Sequence, residues 1–233
     1  FKSEANLYKR TETIAELPKP DYGYPYGGRV IFGKDVEMVG IPTGNSRNYK
    51  YTVKLWDGKK YIKKEISLNY ESQGIHSKFV RPVAVGNDDT NLNILFSGDY
   101  NPQTGMDLFL CTVDKKDWTT KWYEISVDED AGIGPNNPPL SSNSIYFDGS
   151  FYVPSGCCSI AKVDIEERIC KRWKKITAFK HSEEDIGYGT SILGSFNDMI
   201  IVQFTVLRGP GNEHYIYCLL YTSDAADDMQ CVD

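Results

Sequence analysis

Arg29 and Arg81 each open a short apolar run, Arg29-Val-Ile-Phe32 and Arg81-Pro-Val-Ala-Val85. Guanidiniums brought together at one mouth would grip a substrate carboxylate. Cleaving a glycosidic bond would also need two carboxylates around it, and Glu71 and Asp99 are the candidates for that role. Protein recognition asks for other residues. Aromatic and Arg side chains anchor interfaces, and Tyr49, Tyr70, His76, Tyr100, His181 and Tyr188 fall in polar stretches that read as loops. The candidate binding set is therefore Arg29, Tyr49, His76, Arg81, Tyr100, His181 and Tyr188. Metal chemistry finds no pattern, because His76, His181 and His214 stand apart and no Cys-x-x-Cys pair occurs. No phosphate-binding Gly loop or serine elbow is present, so no catalytic residue, metal or cofactor is expected.

A repeat must position these residues. Its copies begin Gly28-Arg-Val-Ile-Phe32, Arg81-Pro-Val-Ala-Val85, Ser144-Ile-Tyr-Phe147 and Ser191-Ile-Leu-Gly194. Each runs through a tight polar turn into a second apolar strand, as in Asp148-Gly149 before Phe151-Tyr-Val153. Asp-Gly supplies the positive φ of a type I′ hairpin. Third strands follow at 51–56, 108–113 and 159–163, and the next residues are Asp57, Asp114 and Asp164. A carboxylate there accepts backbone N–H bonds and holds the turn into an outer strand. The outer strands fall at 60–66, 120–125 and 170–176, with Trp122 and Trp173 each three residues before the closing Ile. A Trp at that place wedges between neighbouring repeats.

Units of ~40–50 residues built from four strands are the mark of propeller blades. The expected fold is all-β: an incomplete β-propeller of about four four-stranded antiparallel blades. It would span 1–217, with a remnant at 1–20 and blades near 28–67, 79–126, 140–177 and 189–217. Loops are expected at 42–50, 69–78, 100–106, 128–139 and 178–189.

Composition bounds the partners. The chain has 233 residues with net charge −6, which argues against a general grip on nucleic acid. No apolar run approaches the ~20 residues of a membrane span. Lys59, Lys60, Lys63 and Lys64 make a local basic cluster, expected as the solvated face of an outer strand. The chain carries no Asn-x-Ser/Thr sequon, which leans towards an intracellular setting. Cys158 and Cys170 flank one hairpin, so either a bridge or buried free thiols would fit.

The stretch from Leu7 to Pro18, followed by Gly27-Gly28-Arg29, resembles a kelch-type repeat junction. Trp122 and Trp173 with Asp114 and Asp164 fit the same pattern, which is similar to the degenerate kelch-like propellers that follow F-box motifs. Kelch blades end their second strand in Gly-Gly. Here the matching positions are Val39-Gly40, Ser97-Gly98 and Ser155-Gly156, and Lys63 stands where Trp is expected. The resemblance implies a non-catalytic module that binds a protein partner, as an adaptor or in substrate recognition. The alternative is a glycan-processing enzyme. Thr112-Val-Asp114-Lys-Lys-Asp-Trp118 resembles the Asp-box of sialidase-like propellers, one residue short and without its Gly.

The run Cys218-Leu-Leu-Tyr-Thr-Ser-Asp-Ala-Ala-Asp-Asp228 breaks the strand rhythm. It resembles the translation of a transposase-type sequencing adapter. The expectation is a natural sequence that ends near Tyr217, a non-native tail over 218–233, and a fragment of a longer protein.

Overall fold

Strand after strand, the chain alternates between two faces and reverses at short polar turns. The computed structural model describes residues 30–33, 35–42, 48–57, 59–69, 80–101, 105–134, 144–155, 159–175, 185–196, 199–208, 211–220 and 229–230. The architecture is all-β. A first antiparallel meander comprises β1 (Val30–Gly33), β2 (Val36–Pro42), β3 (Asn48–Trp56) and β4 (Tyr61–Asn69). A second comprises β5 (Arg81–Asn87), β6 (Asn91–Asn101), β7 (Gly105–Asp114) and β8 (Thr120–Val127). After a 3-10 turn at Glu129–Ala131 come β9 (Ile145–Phe147), β10 (Ser150–Ser155), β11 (Ser159–Asp164) and β12 (Ile169–Lys175). The fourth holds β13 (Asp185–Phe196), β14 (Met199–Arg208), β15 (Gly211–Leu220) and β16 (Met229–Gln230).

The meanders do not remain four separate sheets. The second and third join into one eight-stranded sheet, ordered β5-β6-β7-β8-β12-β11-β10-β9, between two four-stranded sheets. The join is short and parallel, pairing Ile169 with Ser126 and Cys170 with Val127. It is closed by Ser126 N–H to Arg168 O at 3.0 Å and Asp128 N–H to Cys170 O at 2.9 Å. The edge strands β5 and β9 of that sheet lie against each other, so it is nearly closed. β1 also contacts β5, and β9 contacts β13, so the first strands of the meanders form a series.

Period-two alternation explains the packing. In β6, Leu92, Ile94 and Phe96 point to one apolar cluster, shared with Met38, Tyr51 and Val53 of the first meander. Leu95 points to the opposite face, into a second cluster with Phe151, Val153 and Val163. Tyr152 and Ile160 turn the other way, to meet Ile192, Val202 and Phe204 of the fourth meander. β5, β6, β7, β10 and β11 are thus buried on both faces and read as near-continuous apolar runs, while the outer strands β8 and β12 are largely half-buried or exposed. β3 reads differently: Tyr51, Val53 and Leu55 are buried, while Thr52 and Lys54 are half-buried. One face of the first sheet carries the core and the other is polar.

The expected turn chemistry is present. Asp148 and Gly149 take φ of 44° and 74° in the β9–β10 hairpin. Pro82 is accommodated because β5 is an edge strand with an irregular register between Pro82 and Ala84. β15 continues through Cys218-Leu219-Leu220, three residues past the expected end at Tyr217, and Met229–Gln230 pairs back onto Cys218 and Tyr217.

Candidate binding surface

The repeated Asp after each third strand is committed to backbone. Asp57 Oδ1 accepts from the N–H groups of Lys59 and Lys60, both at 2.8 Å. Asp114 Oδ1 accepts from Lys116 N–H at 2.7 Å, and Asp164 Oδ1 from Glu166 and Glu167 N–H at 3.0 and 2.9 Å. These bonds hold the Asp57 carboxyl below its ordinary pKa, the Lys60 and Lys59 N–H groups contributing most. In the β5–β6 turn the Asp88 carboxylate accepts from Thr90 N–H at 2.9 Å, Asn91 N–H at 2.6 Å and Asn93 Nδ2 at 2.8 Å. In the stretch that resembles an Asp-box, Asp114 therefore holds a turn and Trp118 packs against the first core.

The sequence-derived candidates do not gather as expected. Arg29, His76 and His181 lie outside the described residues, as does Glu71. Tyr49, Tyr100 and Tyr188 are not loop residues: they lie in β3, β6 and β13, opposite Pro42, Met106 and Val206 respectively. Tyr suits a pleated strand, and the pairing simply runs further towards each hairpin end than polar composition suggests. Arg81 opens β5 opposite Ser97, is half-buried and is already engaged. By register Tyr49, Arg81, Tyr100 and Tyr188 occupy the same end of their own meanders, that of the turn between second and third strands.

Buried cysteines are free. Cys111 and Cys170 are unbridged, which excludes the Cys158–Cys170 alternative. Burial pushes both thiols up, Cys170 to about 12 with Asp128 and Asp130 adding to it. Among the described residues no group of three or more His, Cys, Asp or Glu is placed to hold a metal ion. No helix among them is long and apolar enough to cross a membrane.

Exposed apolar surface is concentrated elsewhere. The large exposed apolar side chains among the described residues are Trp56, Tyr61, Ile62 and Leu193. Three of the four meet at the β3–β4 hairpin, where Trp56 pairs with Tyr61 across the strands and their rings stand 5.0 Å apart. Tyr61 is 63% exposed. The tip is fixed by the Asp57 bonds, by Asp57 N–H to Lys60 O at 3.1 Å, and by Trp56 N–H to Asp35 O at 2.9 Å. Lys59, Lys60 and Lys63 lie beside the aromatic pair, and Lys64 projects from the opposite face of β4; all four are exposed. The lysine cluster is visible in the sequence; the aromatic pair beside it was missed. Its signal is an apolar residue on each side of a turn whose remaining positions are polar, Trp56-Asp-Gly-Lys-Lys-Tyr61.

No protein-family model matches this chain. No curated protein sequence matches it either.

Proposed function

We propose that this protein is a non-catalytic binding module of the propeller type, kelch-like in its repeats, which engages a protein partner. The concentration of Trp56, Tyr61 and Ile62 at one rigid hairpin carries the proposal. Isolated exposed apolar residues are ordinary, whereas an aromatic pair with neighbouring cations is the composition of an interface anchor. The first strands in series and the four consecutive meanders support a blade-like arrangement. The turn carboxylates support a structural use of the repeated Asp, since each is occupied by backbone N–H groups.

The test compares the intact chain with a Trp56→Ser/Tyr61→Ser variant. Both are immobilised, and retained material is identified from cell extract and from a glycan array. The expected result is a set of proteins held by the parent and lost by the variant, with glycans unbound. Glycan binding, or identical protein sets on both surfaces, would overturn the reading.

A further inference from the structure

Among the described residues β4 is the edge of its sheet, with β3 as its one hydrogen-bonded neighbour. An edge strand presents a row of unpaired backbone N–H and C=O groups to any extended chain that reaches it. Tyr61, Ile62, Lys63, Lys64 and Glu65 are consecutive and all exposed, so the strip is open on both faces over that length. Opposite residues share a face. Tyr61 and Lys63 therefore stand on the face of Trp56 and Lys54, and Ile62 and Lys64 on the face of Leu55 and Val53. The charge is lopsided. Lys54 is paired with Glu37 at 3.7 Å, while Lys59, Lys60 and Lys63 have no ion-pair partner among the described residues. Lys64 Nζ lies 5.7 Å from the centre of the Trp118 ring. Asp57 is occupied by the turn, and Glu65 is the one acidic residue on the exposed strip.

We infer that β4 is the docking edge for an acidic, extended peptide segment, which adds to the sheet as a further strand. This rests on the protein-binding reading above and names the partner's chemistry. The backbone ladder supplies affinity. Adjacent acidic residues meet Lys63 and Lys64 on alternate faces, and an apolar neighbour packs on Tyr61 or Ile62. The same lysines disfavour a second copy of this chain, because its own β4 would bring lysines against lysines. The hairpin tip is held by the Asp57 bonds before any partner arrives, so little ordering is needed on binding. The chain's net charge of −6 makes this basic strip a local exception that steers an acidic segment to one edge.

The test uses the full chain and a fluorescent peptide matched to the nine residues of β4, with alternating Val and Thr around a central Asp-Glu pair. Saturable binding is expected, weakening as salt is raised. Charge reversal with Lys63→Glu/Lys64→Glu should weaken it about tenfold or more, and neutralisation with Lys63→Gln/Lys64→Gln should weaken it less. Methylating alternate amide nitrogens of the peptide should abolish binding by removing its ladder bonds. The inference is overturned by failure of the acidic peptide, by equal binding of the methylated form, or by unchanged affinity in the reversal variant. Tighter binding of single-stranded RNA, or sedimentation as a dimer that the reversal variant loses, also overturns it. If proteins are retained through Trp56 and Tyr61 but the acidic peptide fails, the edge inference falls and the binding-module reading stands.

Discussion

Asp57 shows how a repeated acidic residue is used here: its carboxylate closes a turn through the N–H groups of Lys59 and Lys60. Because the folded state depresses its pKa below the ordinary 3.8, the folded form binds the proton less tightly than the unfolded chain. The stabilisation is therefore fully present above the ordinary value and is lost as pH falls through the depressed one. Asp117 follows the same sign, with Thr119 as its main partner. Trp56 fluorescence followed during acid titration should change below pH 3.8 in the parent, and an Asp57→Asn variant should lack that step. Asp164→Ala removes two backbone acceptor bonds and should cost roughly 1 kcal/mol in urea unfolding. The thiols predict a different behaviour. Cys111 and Cys170 are fully buried with raised pKa values, so a thiol reagent at neutral pH should label them only as fast as the protein opens.

Between elements, close backbone approach matters more than side-chain mass. A Cβ on Gly33 would fall on the carbonyl oxygen of Val85 and within 2.8 Å of Val36 Cγ1. β1 rests against β5 because Gly stands there. Gly33→Ala should destabilise by about 1–3 kcal/mol, as overpacking does, read from the urea midpoint. Gly86 has the same role against the Tyr146 ring of β9, whose side chain the gap admits. The two repeat tryptophans illustrate what spacing conceals. Trp122 pairs with Cys111 and stacks 4.9 Å from Phe96, in the core shared with the first meander. Trp173 meets Tyr152 edge-on, with ring centres 4.8 Å apart, in the core shared with the fourth. Both wedge between sheets, but in opposite directions. The register of β12 skips Trp173, pairing Ala161 with Arg172 and Ile160 with Lys174. One extra residue turns the following side chain to the other face.

At the scale of the molecule, three apolar clusters link the meanders in sequence. In such a series each unit depends on its neighbours. Amide exchange should therefore be slowest in β6, β7, β10 and β11, which carry buried residues on both faces, and faster in β3 and β14. Equal protection in all of them would contradict the layered core. Trp122→Ala and Trp173→Ala act on different interfaces. Each should cost roughly 2–4 kcal/mol, and the double variant should be additive to within about 0.5 kcal/mol.

Alternation, Asp-Gly and the Asp after each third strand are local signals, so the strands, their hairpins and the structural use of Asp57, Asp114 and Asp164 are legible in the residue order alone. Strand ends were less legible, because pairing with a neighbour carried Tyr49, Tyr100 and Tyr188 into strands that polar composition alone assigns to loops. Long-range geometry decided the rest. The merger of two meanders depends on β8 and β12 running side by side at Ser126 and Cys170. The opposite facing of Trp122 and Trp173 depends on a single skipped residue. The exposure of Trp56 and Tyr61 depends on how the described sheets pack, since among the described residues none buries this hairpin. Residue types state what a side chain prefers; only the packed neighbours determine whether that preference is met inside the protein or left for a partner.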